Sequence, residues 1–480
     1  MEAMKLSGLK PQNVFYFFEK LCAIPHGSGN TKAISDYLAE FAKEHNLRHI
    51  QDQLNNVIIF APASPGYEDH EAVIIQGHMD MVCEKDADCL LDMEKDGLDV
   101  MHDGEYVFAK GTTLGGDDGI AVAYALAILA DSTIAHPALE VVVTVDEETG
   151  MDGAAGIDLS CLKGRKLLNI DSEEEGILTV SCAGGAKSTV ALPLARRAVY
   201  GPCIKLVVEN LQGGHSGVEI HKRLANANKM MGVLLHRVRE LMPLCLTKLE
   251  GGAKDNAIPR SCEATMVAMG MNLERINGIC DALQQEIRSN FDEPEAIVRG
   301  EDVDALGGNA LSAEDTDRVI KLLNEAPNGV QSWSEDIPGL VQTSLNLGIM
   351  NLTDSFRMTF AVRSSVNTEK EALLKALADL AGSYRGEYTQ RGEYPAWEYK
   401  KDSQLRDTMV NTYEKLYGKK PQVVAIHAGL ECGLLGEKLP GLDCVSFGPD
   451  MKDIHTSREK LNIASTERTW NYLLEVLKAL

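Results

Sequence analysis

Apolar residues recur at three- and four-residue spacing along the first 45 positions of the chain. "NVFYFFEKLCAI" and "NTKAISDYLAEFAKEH" each present one apolar face, with the break "PHGSGN" between them. This spacing predicts two helices within 13–45, the second capped by Asn30 or Thr31. Short continuous apolar runs follow, in "NVIIFA" at 56–61, "AVIIQGHMDMV" at 72–82, "ALEVVVTVDEETG" at 138–150 and "KLLNIDSEEEG" at 166–176. All read as strands, and the last three run into acidic residues. "DDGIAVAYALAILADS" reads as a largely buried helix, and residues 84–116 as irregular and acidic. Strands alternating with helices predict an α/β fold, with a mostly parallel sheet flanked by helices.

The pattern changes after about residue 185. "STVALPLARRAVYGPCIKLVVENL", "CEATMVAMGM", "GLVQTSLNLGIMN" and "DSFRMTFAVRSS" read as antiparallel strands, with helices near 221–241, 274–290 and 368–382. From about 395 the α/β texture returns, in "SQLRDTMVNTYEKLYG", "PQVVAIHAGLECG", "LDCVSFGP" and "STERTWNYLLEVLKAL". The expected organisation is a catalytic domain over 1–185 and 395–480, interrupted by an inserted α+β domain over 186–394.

Composition narrows the function classes. The chain of 480 residues carries 47 basic and 71 acidic side chains, a formal net charge of −24. Such a surface repels nucleic acid and anionic membranes and tolerates bound cations. Eleven cysteines, an odd number without a C-x-x-C pair, suit free thiols in a reducing compartment. The N-terminus lacks a signal-peptide pattern, and no apolar run is long enough to span a bilayer, so a cytoplasmic protein is expected.

His78 with Asp80, the pair Asp117–Asp118, the pair Glu147–Glu148 and Asp171 each stand where a strand ends or the next loop begins. His455 follows the late strand "LDCVSFGP". Functional groups in α/β sheets gather at the carboxyl ends of strands, so these distant residues can converge on one crevice. Taken singly, "HMD" reads as a satisfied His–Asp pair, "GGDDG" as a helix cap and "DEE" as a solvated loop. Together they make a crowd of carboxylates that is tolerable only with cations among them. Imidazole and carboxylate ligands suit zinc, with manganese or cobalt as alternatives. A shared carboxylate would make a two-metal site about 3.5–4 Å across. Alternation along a strand puts His78 and Asp80 on one side, with Asp80 placed to accept from the imidazole. Spacing alone does not say which of Asp117 and Asp118 is shared. The chain has no G-x-S-x-G elbow, no phosphate-binding G-x-x-x-x-G-K-[ST] loop and no H-E-x-x-H helix.

"GHMDMV", "KGTTLGGDDGIAVA", "DEETGMDGA", "NIDSEEEG", "GGHSG", "DNAIP", "HAGLECG" and "DIHTSREKLNI" carry a resemblance over essentially the whole chain. It resembles the aminoacyl-histidine dipeptidases, bacterial relatives of carnosinase among the two-zinc metallopeptidases. The resemblance implies that His78 and Asp171 bind one metal, Glu148 and His455 the other, and that Asp117 bridges both. It makes Asp80 the orienter of His78 and Glu147 the general base. The inserted domain would be a lid through which a homodimer forms. His215 would stabilise the oxyanion, often from the partner subunit, Asn256 would bind substrate, and Arg363 would hold its carboxylate. His427 and Glu431 in "HAGLECG" suggest a substrate-contacting loop. The implied activity is metal-dependent hydrolysis of dipeptides with a free N-terminus, Xaa-His among them. The rivals are an N-acyl amino acid amidohydrolase of the same architecture and a non-catalytic metal-binding protein, against which Glu147 speaks.

Overall fold

The computed structural model describes residues 4–268, 270 and 272–480. The chain divides into two compact units. One runs from the N-terminal segment through Ser181 and resumes over Tyr399–Ala425 and Leu430–Leu480. The other takes in Cys182–Glu398 and the short return Ile426–Gly429.

The first unit is built on an eight-stranded sheet. Its centre is parallel: Leu139–Thr144, Val73–His78, Lys166–Asn169 and Asp443–Ser446 lie side by side in that order. Antiparallel strands extend both ends of this parallel centre, so the sheet is mixed. The apolar runs of the sequence are these central strands, buried over nearly their full length. The helix Gln12–Cys22 buries Val14, Phe15, Phe18 and Leu21, one stripe at helical spacing. In the helix Lys32–Glu44 the cap position is Thr31, but no side chain caps it.

The stretch expected to be irregular contains two strands, Val100–His102 and Tyr106–Ala109. They form a small sheet with Met451–Lys452 and Lys460–Asn462, a pairing too distant in sequence for local pattern to reveal. The segment "HTSRE" that carries His455 is a series of turns, and the last helix begins at Ile463.

The second unit is a nine-stranded sheet with helices Ala227–Leu241, Leu273–Asn290, Ala313–Glu325 and Asn367–Ser383. In the strand Ser355–Ser364 the buried Phe356, Met358, Phe360 and Val362 alternate with more exposed residues, as expected for a sheet with one covered face. The long strand Ile297–Leu311 and the helix Ala313–Glu325 were not legible in the sequence. The strand carries few buried apolar side chains and takes its form from pairing with Arg196–Glu209. The cysteines are free thiols.

Candidate active site

The parallel strands deliver the acidic and histidine residues to one edge of the first unit's sheet. His78 closes its own strand. The short helix Glu147–Gly150 follows Leu139–Thr144, and Asp171 follows Lys166–Asn169. His455 lies in the turns after Met451–Lys452, at φ +59°. Asp117 and Asp118 come from the first turn of the helix Gly116–Leu129, where neither has helical dihedrals.

Those dihedrals send the two neighbouring carboxylates in different directions. Asp117 sits between the imidazoles: Oδ1 is 3.2 Å from His78 Nε2 and Oδ2 is 3.1 Å from His455 Nε2. Asp118 instead accepts the backbone N–H of His78 at 3.2 Å. A Cβ on Gly77 would lie 2.4 Å from Asp118 Oδ2, so the glycine makes room for this contact. Asp171 Oδ1 is 3.7 Å from His78 Nε2, and Glu148 Oε1 is 2.8 Å from His455 Nε2. Three sets of ligand atoms gather within 4.8 Å: His78, Asp118 and Asp171; His78, Glu147 and Glu148; Asp117, Glu148 and His455.

The electrostatics follow from this crowding. Hydrogen bonds to Asp117 and Glu148 push the His455 imidazole up to about 10. Burial pulls His78 down, but Asp117, Asp171 and Asp80 together raise it well above its ordinary value. Burial, reinforced by Asp171, Glu431 and Glu148, lifts Glu147 to about 9. Burial also raises Asp171. A site that keeps its imidazoles cationic and a carboxyl protonated calls for positive charge, which divalent cations supply. Imidazole nitrogens beside carboxylate oxygens fit zinc, manganese or cobalt.

Asp80 lies just beyond the strand end rather than on it. The nearest acceptor for His78 Nδ1 is its backbone oxygen, at 3.0 Å, with the carboxylate Oδ1 at 3.5 Å. The carboxylate accepts from Ser28 Oγ at 2.8 Å and from the backbone N–H groups of Glu147 and Glu148 at 3.1 and 3.4 Å. Asp80 therefore fixes the turn that carries both glutamates as well as facing His78.

Two buried glutamates make contacts that the sequence does not show: Glu459, which no motif singles out, and Glu431, whose role within "HAGLECG" the sequence leaves open. Glu459 accepts the backbone N–H groups of Leu114, Gly115, Gly116 and Asp117. Glu431 Oε2 accepts from Gln76 Nε2 and Thr144 Oγ1, each at 2.6 Å. Gln76 in turn accepts from Asn169 Nδ2 at 2.6 Å. Gln76 and Asn169 stand two positions before His78 and Asp171, so this network is a polar layer beneath the cluster. Burial raises Glu431 to about 7. The only sequence signal for either was an acid inside an otherwise apolar or motif-bearing stretch.

His215, Asn256 and Arg363 belong to the second unit. Gly214–His215 pairs with Ala257–Ile258, and the Ser216 N–H donates to the Asn256 carbonyl at 2.9 Å. Arg363 Nη1 donates to the Tyr394 hydroxyl at 3.3 Å. A Cβ on Gly217 would come 2.6 Å from the His427 carbonyl, 3.0 Å from His215 Cε1 and 3.2 Å from Arg363 Nε, so these residues meet around that glycine. Burial, with the Arg363 charge beside it, lowers both histidines, His427 to about 3. His427 Nε2 lies 2.7 Å from Ser344 Oγ. Lys187, Asn256, Arg363, Arg391 and Tyr394 help line a cavity of about 290 Å³ in this unit. "HAGLECG" thus splits: His427 joins the second unit and Glu431 the first.

Known proteins place this arrangement in a family. Over 483 aligned residues the chain is 38% identical to the cytosol non-specific dipeptidase of Escherichia coli K12, covering 99% of each chain. The crystal structure of aminoacylhistidine dipeptidase from Vibrio alginolyticus superposes with a TM-score of 0.94 at 36% identity, over 99% of this chain and 98% of that one. The fold also matches aminopeptidase PepT from Bacillus cereus, with a TM-score of 0.56 at 14% identity, over 98% and 99% of the two chains. The model of peptidase family M20/M25/M40 matches residues 74–479, and the chain belongs to that family.

Proposed function

We propose that the protein is a metal-dependent dipeptidase that cleaves dipeptides with a free N-terminus, Xaa-His dipeptides among them. The observation that carries this reading is the position of Asp117, one carboxylate oxygen against each of His78 and His455. His78 and Asp171 would hold one cation, Glu148 and His455 a second, and Asp117 would bridge them. Zinc is the expected metal. When bound, the pair would supply an acidified water and polarise the scissile carbonyl.

Glu147 is the general base. It stands beside His78 and Glu148, and it would take the proton of the attacking water and return it to the leaving amine. Asp80 holds the Glu147 backbone in place for that transfer. In the second unit, neutral His215 would stabilise the oxyanion and Asn256 would bind the substrate. Arg363, in a cavity shared with Lys187 and Arg391, would hold the substrate carboxylate. Domain boundaries at 185/186 and 394/395, a lid role for the inserted segment, a homodimer formed through it and a cytoplasmic location complete the proposal. The close likeness to two dipeptidases supports the substrate class.

The test is hydrolysis by zinc-loaded protein of a mixture containing β-alanyl-histidine, other Xaa-His and non-histidine dipeptides, a tripeptide and an N-acetyl amino acid. Products are read by mass spectrometry. Cleavage confined to dipeptides is expected. Cleavage of the N-acetyl compound alone would overturn the reading in favour of a deacylase.

A further inference from the structure

Glu459 is 3% exposed, yet its carboxylate carries no lysine, arginine or histidine partner among the contacts of the described residues. It is solvated instead by four consecutive backbone N–H groups. Oε2 accepts from Leu114 at 2.8 Å and Gly115 at 3.2 Å; Oε1 accepts from Gly116 at 2.8 Å and Asp117 at 3.4 Å. Successive amides converging on one anion form a nest, the arrangement other proteins use for phosphate or carboxylate ligands. Here the chain supplies the anion itself, from more than 340 residues away.

The loop sequence is shaped for this occupant. Gly115 has φ +68°, a left-handed conformation that turns its amide toward the same point as its neighbours. A Cβ there would lie 2.9 Å from Met81 Sδ. A Cβ on Gly116 would press to 3.2 Å from Glu459 Oε1. Both glycines of "GGDD" are therefore explained by the nest and its packing.

The consequence lies in what each side of this contact carries. The loop ends in Asp117. Glu459 is four positions after His455, and its own N–H donates to the Thr456 carbonyl at 3.1 Å, closing the turn that directly follows that histidine. Asp117 Oδ2 and His455 Nε2 are 3.1 Å apart. We propose that Glu459 is a positioning residue: its carboxylate in the Leu114–Asp117 nest locks the bridging aspartate to the segment bearing His455, and so sets the geometry of the second metal position. This inference rests on the two-metal reading above. The group must accept hydrogen bonds at both of its terminal atoms. A glutamine of equal size would turn an amide N–H₂ toward backbone N–H donors and leave part of the nest without an acceptor.

The test is calorimetric zinc titration of the full chain, with amide hydrogen exchange over 114–117, for wild type, Glu459→Gln and Glu459→Ala. Glu140→Gln is the control, because Glu140 accepts the amides of Lys163 and Gly164 in a loop without ligands. The expected result is two zinc sites in wild type and one of them about 10–100-fold weaker in both Glu459 variants. Exchange over 114–117 should be faster in those variants, and added formate should restore affinity in Glu459→Ala by occupying the nest. Glu140→Gln should keep both affinities. If Glu459→Ala does not fold, Glu459→Gln carries the same comparison. Wild-type affinity at both sites in a folded Glu459 variant would overturn the positioning role and leave the two-metal reading standing. A wild-type chain that binds no zinc would overturn both.

Discussion

The backbone N–H of Glu147 donates to the carboxylate of Asp80, 3.1 Å from Oδ1, across 67 residues of sequence. The same carboxylate receives the Glu148 N–H and faces His78. One buried acid thus connects the proposed base with two proposed ligands. Asp80→Ala should lose turnover by two orders of magnitude or more, about the whole contribution of a positioned general base, ~10²–10⁴-fold. Zinc affinity should also weaken, by about 10–100-fold. Steady-state kinetics and zinc titration of the same preparation check both. Wild-type kcat would remove Asp80 from the mechanism.

Glu147→Gln keeps the shape of the side chain and removes its ability to take a proton. It should retain both metals and lose most of kcat, with KM little changed. Metal content by mass spectrometry and initial rates on a cleaved dipeptide separate the two effects. Near-normal turnover at full occupancy would assign the base elsewhere.

Metal binding should strengthen steeply with pH. In the metal-free chain His455 is held near 10 and His78 also above its ordinary value, so at neutral pH both imidazoles carry protons that a metal must displace. Each proton released gives about tenfold in affinity per pH unit, so affinity should rise up to about a hundredfold per unit and flatten above about pH 10. Stability has the matching sign. A group whose folded pKa is raised stabilises fully below its unfolded value, about 6.5 for histidine, and that stability fades as pH climbs through the folded value. Metal-free protein should therefore lose Tm between about pH 6.5 and 10, and zinc-loaded protein should not show this loss. Thermal melts with and without chelator decide it.

Glu431→Ala deletes the acceptor shared by the buried Gln76 amide and Thr144 hydroxyl. It should cost about 1–3 kcal/mol of stability, since buried donors without partners lose their solvation. Glu431→Gln keeps an oxygen at that point and should cost less. Urea denaturation of both variants checks the order, and equal losses would mean that the hydrogen bonds are not the reason for the glutamate.

How much of this was legible in the sequence depends on how local each signal is. The central strands were, because an unbroken apolar run such as the three valines of "LEVVVT" needs no partner to be recognised. The acids and histidines at the strand ends were, because polar residues after a buried run are conspicuous. The strands Tyr106–Ala109 and Ile297–Leu311 were not, because their form comes from pairing with distant segments. Asp117 and Asp118 could not be told apart by spacing. Backbone dihedrals separate them, and no local pattern predicts those dihedrals. Glu459 and Glu431 act through contacts spanning hundreds of residues, which no local pattern encodes.

The central claim is that hydrolysis depends on two cations gathered around Asp117. The most direct measurement is the rate of β-alanyl-histidine cleavage by chelator-stripped protein as zinc is added back in known equivalents per chain. If zinc is replaced stepwise, the account predicts no turnover in the stripped protein and a rise that saturates at two equivalents. Undiminished cleavage by stripped protein, or none at any zinc level for this and every other dipeptide, would contradict it.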